Sequence, residues 1–388
     1  MSMEIEVAKR LQQTEEYYFS KKLREIDQMN QAGAKVINLG IGSPDLPPHP
    51  DVIKVLHEQA SLTNTHGYQN YKGAPVLRQA IADWYSRYYH VSLNAETEIL
   101  PLIGSKEGIV HIAMTYLQEG DEVLIPNPGY PAYTSAVKLT GATVVPYELS
   151  AANDWLVDFD ELEKRDLSKV KMMWMNYPHM PTGASANIAF FENAVAFAKK
   201  HTILLVHDNP YSFILNDNPI SLLAVEGALD VAIELNSLSK SSNMAGWRVG
   251  MLVANQKRIS EILRFKSNMD SGMFLPVQFA AAKALSLDKS WYETLNKEYE
   301  ARRLKVYEIM DLLGCDYDTK QVGLFVWAKI PSNYNNCYDL ADDVLYKAKV
   351  FITPGGIFGS AGEQYIRISL CGKIETLEAA IERLKANL

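Results

Sequence analysis

The sequence predicts an α/β protein with a mostly parallel sheet covered by helices, followed by a smaller α+β part. Three observations carry that reading. Between residues 99 and 254, short apolar runs of strand length alternate with longer segments of helical spacing. Such alternation implies parallel strands joined by crossover helices. Polar and charged residues suited to chemistry recur just past the apolar runs, where open α/β sheets bind ligands. Beyond residue 289 the order changes to a long charged helix, then strands and helices without that regular alternation.

Residues 1–35 place Leu11, Tyr17, Tyr18, Phe19, Leu23, Ile26 and Met29 at helical intervals, with Gly33 as a stop. The cluster Tyr17-Tyr18-Phe19 is read first as packing, and second as cover for a pocket mouth or a partner subunit. Val36-Ile37-Asn38-Leu39 is a short strand, and Gly40-Ile41-Gly42-Ser43-Pro44-Asp45 a rigid turn. Prolines follow that turn instead of a helix start, which argues against a dinucleotide fingerprint. Residues 50–61 and 74–89 are helical, the second with Leu77, Ile81, Trp84 and Tyr88 on one face. A polar aromatic loop containing Tyr68 lies between them.

Strands are expected at 99–103, 122–126, 142–147, 170–176, 202–206, 231–235 and 247–254. Helices are expected at 107–118, after Tyr133, and at 158–166 and 188–200. Gly104-Ser105-Lys106-Glu107-Gly108 turns from a strand into a helix, which makes an anion-binding helix start. Helices at 256–268, 274–286 and 289–313 follow, the last expected to link two domains. Strands at 323–328 and 365–370 and helices at 337–348 and 374–386 complete the chain. The division reads as residues 48–288 for the large domain, with 1–47 and 289–388 forming the small one.

Composition narrows the class. The 388 residues are 47% hydrophobic, enough for a large core. With 46 acidic against 38 basic residues the formal charge is -8, and no basic stripe stands out. That argues against nucleic acid as a partner. Cys315, Cys337 and Cys371 lie far apart, with neither metal-type spacing nor a disulfide framework. The first residues lack the build of a signal peptide, and no apolar run reaches membrane length. A soluble cytoplasmic protein, without a metal or a membrane partner, is the expectation.

The stretch Asn236-Ser237-Leu238-Ser239-Lys240 to Gly246-Trp247-Arg248-Val249-Gly250 carries most of the chemistry. Ser237, Ser239 and Arg248 suit a phosphate, because hydroxyls donate and guanidinium offers a charged planar fork. A lysine beside such a site suggests a Schiff base to pyridoxal phosphate. Asp208, just past a buried run, suits a protonated pyridine nitrogen, and Tyr211 the ring phenolate. Singly, each residue also reads as a surface lysine, a loop aspartate or a packed tyrosine. Their occurrence together in this order is specific.

With Gly42-Ser43-Pro44-Asp45, Pro181-Thr182-Gly183, Asp208-Asn209-Pro210-Tyr211, Ser237-Leu238-Ser239-Lys240, Gly246-Trp247-Arg248-Val249-Gly250 and Arg367-Ile368-Ser369, the chain resembles the class I/II aminotransferases from about residue 36 to its end. These belong to the aspartate aminotransferase superfamily, the fold-type I pyridoxal phosphate enzymes. The resemblance implies a seven-stranded large-domain sheet. It also implies transfer of an amino group between an L-amino acid and a 2-oxo acid, 2-oxoglutarate among them, by a ping-pong route through Lys240.

By that resemblance, Lys240, Asp208 and Tyr211 are catalytic. Ser105, Lys106, Tyr130, Asn176, Ser237, Ser239 and Arg248 join them in holding the cofactor, and Ile41, Gly42 and Arg367 hold the substrate. Tyr68 reaches the cofactor of the other subunit in a homodimer. Two positions depart from the pattern. Met180 stands where the family has Asn before Pro-Thr-Gly, and a thioether cannot donate to the ring oxygen. Leu263 stands where aspartate-specific members have Arg. Gly104–Gly108 and Lys266–Gly272 look like the LL-diaminopimelate aminotransferase branch, while the N-terminal aromatics keep an aromatic substrate open. A C–S β-lyase on the same fold is the alternative.

Overall fold

The computed structural model describes residues 5–12 and 18–387; Tyr17 lies outside them. Strand β1 (Ile37–Asn38) precedes the main sheet, which contains β2 (Ile99–Leu102), β3 (Glu122–Asn127), β4 (Thr143–Glu148), β5 (Val170–Asn176), β6 (Leu204–Asp208), β7 (Ala232–Ser237) and β8 (Gly250–Ala254). The order is β2-β8-β7-β6-β5-β3-β4. Only β8 runs against the others, pairing antiparallel with both β2 and β7. The remaining neighbours are parallel.

One strand reversal has a direct consequence for the site. The carboxyl ends of β2, β6 and β7 share one edge of the sheet, and an antiparallel β8 brings its amino end to that same edge. Gly250 accordingly pairs with both Leu102 and Ser237. Arg248, two residues before β8, thus joins Ser105, Asp208 and Lys240 at the edge where ligands bind.

The smaller part holds β9 (Asp316–Tyr317), β10 (Phe325–Lys329), β11 (Val350–Phe351), β12 (Thr353–Pro354) and β13 (Tyr365–Ser369). An antiparallel sheet runs β12-β13-β10-β9, and β11 pairs with β1. The helix Lys289–Leu312 serves both parts. Tyr292 packs in the core under the main sheet, and Leu295 through Met310 in the core of the smaller sheet.

Several boundaries differ from the sequence reading. The segment expected to be helical over 158–166 forms only Phe159–Leu162, capped by Asp158. The expected strand over 247–254 begins at Gly250, because Ala245–Trp247 makes a tight turn and Arg248 takes a left-handed conformation with φ 57°. The helix expected from 107 starts at Ser105. The N-terminal segment forms helices Lys9–Gln12 and Tyr18–Gln31, and Gly33 follows at φ 92°. The two-residue strands β9, β11 and β12 were invisible to periodicity, which needs longer runs.

Beneath the sheet lies a fully buried polar network. Glu234 on β7 accepts hydrogen bonds from Tyr85 Oη at 2.9 Å, Ser221 Oγ at 2.9 Å and the Leu222 amide at 3.0 Å. Its other neighbour is His207 Nδ1 on β6, at 2.9 Å. Satisfying a buried carboxylate this fully is what makes its burial tolerable. Glu234→Ala should therefore cost on the order of 3–5 kcal/mol of stability, because the donors lose a shared acceptor. Urea denaturation of the variant against the wild-type protein measures it.

Candidate active site

One cavity of about 340 Å³ opens at the sheet edge, between the main sheet and the smaller part. Of the residues singled out in the sequence, Ile41, Gly42, Ser105, Lys106, Tyr130, Asn176, Asp208, Tyr211, Ser237, Ser239, Lys240, Arg248 and Arg367 all line it. Tyr68 does not. It stands 95% exposed on its loop, which packs against a second loop at Gly272, where a Cβ would come within 2.7 Å of Gln69 O.

Lys240 is held by a single helical turn, Leu238–Ser241. Ser237 caps that turn, its Oγ accepting from the Ser239 amide at 3.1 Å. Trp291 Nε1 donates to Ser241 O at 2.8 Å and pins the other end. The sequence set Lys240 between two expected strands, at 231–235 and 247–254; the cap makes the segment between them a fixed turn. Lys240 Nζ donates to Gly42 O at 2.6 Å. Burial lowers its pKa, with Arg367 and Arg248 acting in the same direction and Cys371 opposing them.

Asp208 ends β6 and is buried. Tyr133 Oη donates to Asp208 Oδ2 at 2.8 Å. Oδ1 has no hydrogen-bond partner among the described residues. Burial pushes the carboxyl up to about 6, against the pull of the Tyr133 hydroxyl. Asn176, at the end of β5, uses its side chain on the backbone, donating to Asp208 O at 2.6 Å and accepting from the Met180 amide at 2.8 Å. It braces the floor of the cavity.

Glycines shape one end of the cavity. Gly250 lies so close to the start of the helix Ser105–Tyr116 that a Cβ would sit 2.5 Å from the Ser105 nitrogen. Gly104, at φ 81°, has no room for a side chain because Arg248 Nη2 fills the space. The helix start, its amides and the guanidinium are thereby gathered at one place. A nearby polar cluster is structural. Glu107, His111 and Asp270 lie within 4.8 Å of one another, but Lys266 Nζ is 3.0 Å from Glu107 Oε1 and also bonds Asp270. That ammonium already supplies the positive charge.

The opposite wall comes from the smaller part. Arg367 on β13 donates through Nη2 to Gly40 O at 2.9 Å and meets Met180 Sδ with Nη1 at 3.3 Å. Its guanidinium carbon lies 3.9 Å from the Phe325 ring centroid and 4.7 Å from that of Phe358. Reading the sequence missed Tyr133, Phe325 and Phe358. Tyr133 had a signal, since it follows Tyr130 by one helical turn; the phenylalanines had none.

The chain matches the family model described as aminotransferase class I and II over residues 34–384, and belongs to that family. It is 40% identical over 385 residues to an LL-diaminopimelate aminotransferase of Dehalococcoides mccartyi strain CBDB1, covering 98% of each chain. It is 39% identical over 373 residues to transaminase BacF of Bacillus subtilis, covering 95% of this chain and 94% of the relative. The solved apo structure of BacF superposes with a TM-score of 0.95 at 38% identity, covering 100% of this chain and 99% of that one. The protein is thus an aminotransferase with the fold of that family.

Asp208 makes a pH prediction for the cofactor-free protein. Its folded carboxyl holds a proton more tightly than the unfolded one, so its contribution to stability is full below its ordinary value of 3.8 and is lost as pH rises to about 6. The loss is on the order of 3 kcal/mol. Urea unfolding should show the wild-type protein losing stability relative to Asp208→Asn across that window; parallel pH profiles would contradict the assignment.

Proposed function

We propose that the protein moves an amino group between an L-amino acid and a 2-oxo acid in two alternating half-reactions, with glutamate and 2-oxoglutarate as one pair. The carrying observation is the convergence on one cavity of a half-buried lysine, a buried aspartate whose Oδ1 has no partner among the described residues, and an arginine beside two aromatic rings. Pyridoxal 5′-phosphate fits this donor set. When bound, it supplies an aldehyde for the amino group and a ring that takes up the electron pair left at Cα.

The residues divide the work. Asp208 Oδ1 would pair with the ring nitrogen and hold its proton, the state that best draws electrons from Cα. The Tyr211 hydroxyl would donate to the ring oxygen, without help from Met180. The amides at Ser105 and Lys106, the hydroxyls of Ser105, Ser237 and Ser239, and Arg248 would hold the phosphate, with Tyr130 against the ring. Arg367, aided by the Gly42 amide and bordered by Ile41, would grip the α-carboxylate and fix the direction of the Cα–H bond.

Lys240 would carry the cofactor, then, once released, take the Cα proton and return it at the neighbouring cofactor carbon. A lysine of ordinary basicity would stay protonated; burial favours the neutral amine this needs. In a homodimer Tyr68 would reach the partner's site. Its exposure, beside the exposed Phe274, supports that placement. The relatives compared carry the names of transaminases, which does not favour the β-lyase alternative.

Two variants test the roles. Lys240→Ala should reduce transamination on the order of 10³-fold or more, with the apo protein still folded. Assay of 2-oxo acid formation beside circular dichroism checks both, and retained turnover would reject the role. Arg367→Lys should raise KM for the amino donor on the order of 10- to 100-fold, since a point charge replaces the fork. Steady-state kinetics measures it.

A further inference from the structure

The turn 40–47 touches both sides of the site and is not held by its own backbone. Among the described residues, no backbone–backbone hydrogen bond involves residues 41–46. Its carbonyls go to side chains of the site instead. Gly42 O accepts from Lys240 Nζ at 2.6 Å, and Gly40 O from Arg367 Nη2 at 2.9 Å and Thr353 Oγ1 at 3.0 Å. Gly42 also lies against Phe325 with no room for a side chain. A lysine from the main sheet and an arginine from the smaller one are thus aligned on the same few residues.

What fixes the turn is one buried guanidinium. Arg302, on the helix Lys289–Leu312, is only 1% exposed. Its Nη1 donates to Asp45 Oδ1 at 2.6 Å and its Nη2 to Asp45 Oδ2 at 3.3 Å, a two-pronged grip. Nη1 also donates to Leu370 O at 3.2 Å, just past β13, the strand that carries Arg367. Nε donates to Glu298 Oε1 at 2.9 Å. At the far end of the turn, Asn243 Nδ2, three residues past Lys240, donates to Pro47 O at 3.1 Å. The plain alternative is a pair that only adds stability. A buried pair is a poor device for that, because desolvating two charges offsets much of their attraction. Its fixed geometry suits orientation better.

Resting on the carboxylate role proposed above for Arg367, we infer that Arg302 is a positioning residue for substrate binding. Through Asp45 it fixes the turn 40–47, and the turn aligns Arg367 and the Gly42 amide on the α-carboxylate. Arg302 does not line the cavity and acts only through these neighbours. The amino donor and the 2-oxo acid bring the same carboxylate to the site. Loosening the turn therefore weakens the binding of both.

The test compares full-length wild-type protein, Asp45→Asn, Arg302→Met and the double variant, each loaded with pyridoxal phosphate. The temperature is one at which circular dichroism shows them folded. Removing one charge strands the other and lowers stability; the double variant removes both and keeps the fold measurable. KM for glutamate and for 2-oxoglutarate should each rise on the order of 10-fold in every variant, with kcat falling less. The double variant should be no worse than the single ones, since both act through one contact. Glutarate, the glutamate skeleton without its amino group, should lose affinity to the same degree, read from the cofactor's visible band without turnover. A lowered melting temperature with KM and glutarate affinity unchanged overturns the inference and leaves the aminotransferase reading standing. Full recovery of KM in the double variant does the same, because the stranded charge alone would then explain the single variants. Arg367→Lys is the control: an unchanged KM there removes the carboxylate role of Arg367, and the inference with it.

Discussion

Two buried charges of opposite sign face one cavity, and each is tied to a different neutral partner. Lys240 bonds the Gly42 carbonyl and Asp208 the Tyr133 hydroxyl. Had they been placed to pair, each would stabilise the other's charge, and neither would be poised for chemistry. Kept to separate partners, both feel burial as the dominant influence. The ammonium becomes easier to deprotonate, and the carboxyl is pushed up to about 6. The fold bears that cost because it is spread over a large core, and a ligand that meets both groups would recover it.

The sheet supplies the separation. Asp208 ends β6, Lys240 follows β7 on a capped turn, and the reversed β8 delivers Arg248 to the same edge. Glycine is required at two of these contacts. Gly250 admits the helix start at Ser105, and Gly104 admits the Arg248 guanidinium. The smaller part contributes what the sheet cannot, an arginine between aromatic rings on the far side of the cavity. A lysine and a carboxylate from one part thus face an arginine from the other.

Much of this was legible in the chain. The α/β class followed from alternating apolar runs, and thirteen of the residues lining the cavity were named from short motifs and the family resemblance those motifs carry. What escaped had physical reasons. Strands of two residues, such as β9, β11 and β12, carry no period. Arg248's left-handed turn delayed β8 by three residues, which a run of apolar letters does not reveal. Asn176 looked like a ligand contact but spends its amide on Asp208 O and the Met180 amide. Phe325 and Phe358 reach the site only through the packing of the smaller part, and nothing local in the sequence marks them.

The relatives include LL-diaminopimelate aminotransferases and transaminase BacF. Whatever side chain the donor carries, the proposed function rests on the covalent role of Lys240, which is the central claim. Its most direct measurement is borohydride reduction of the protein after loading with pyridoxal phosphate, followed by peptide mapping in a mass spectrometer. The account predicts the pyridoxyl mass on the peptide containing Lys240 and on no other. A label on a different lysine, such as Lys106, or no stable label at all, would contradict it.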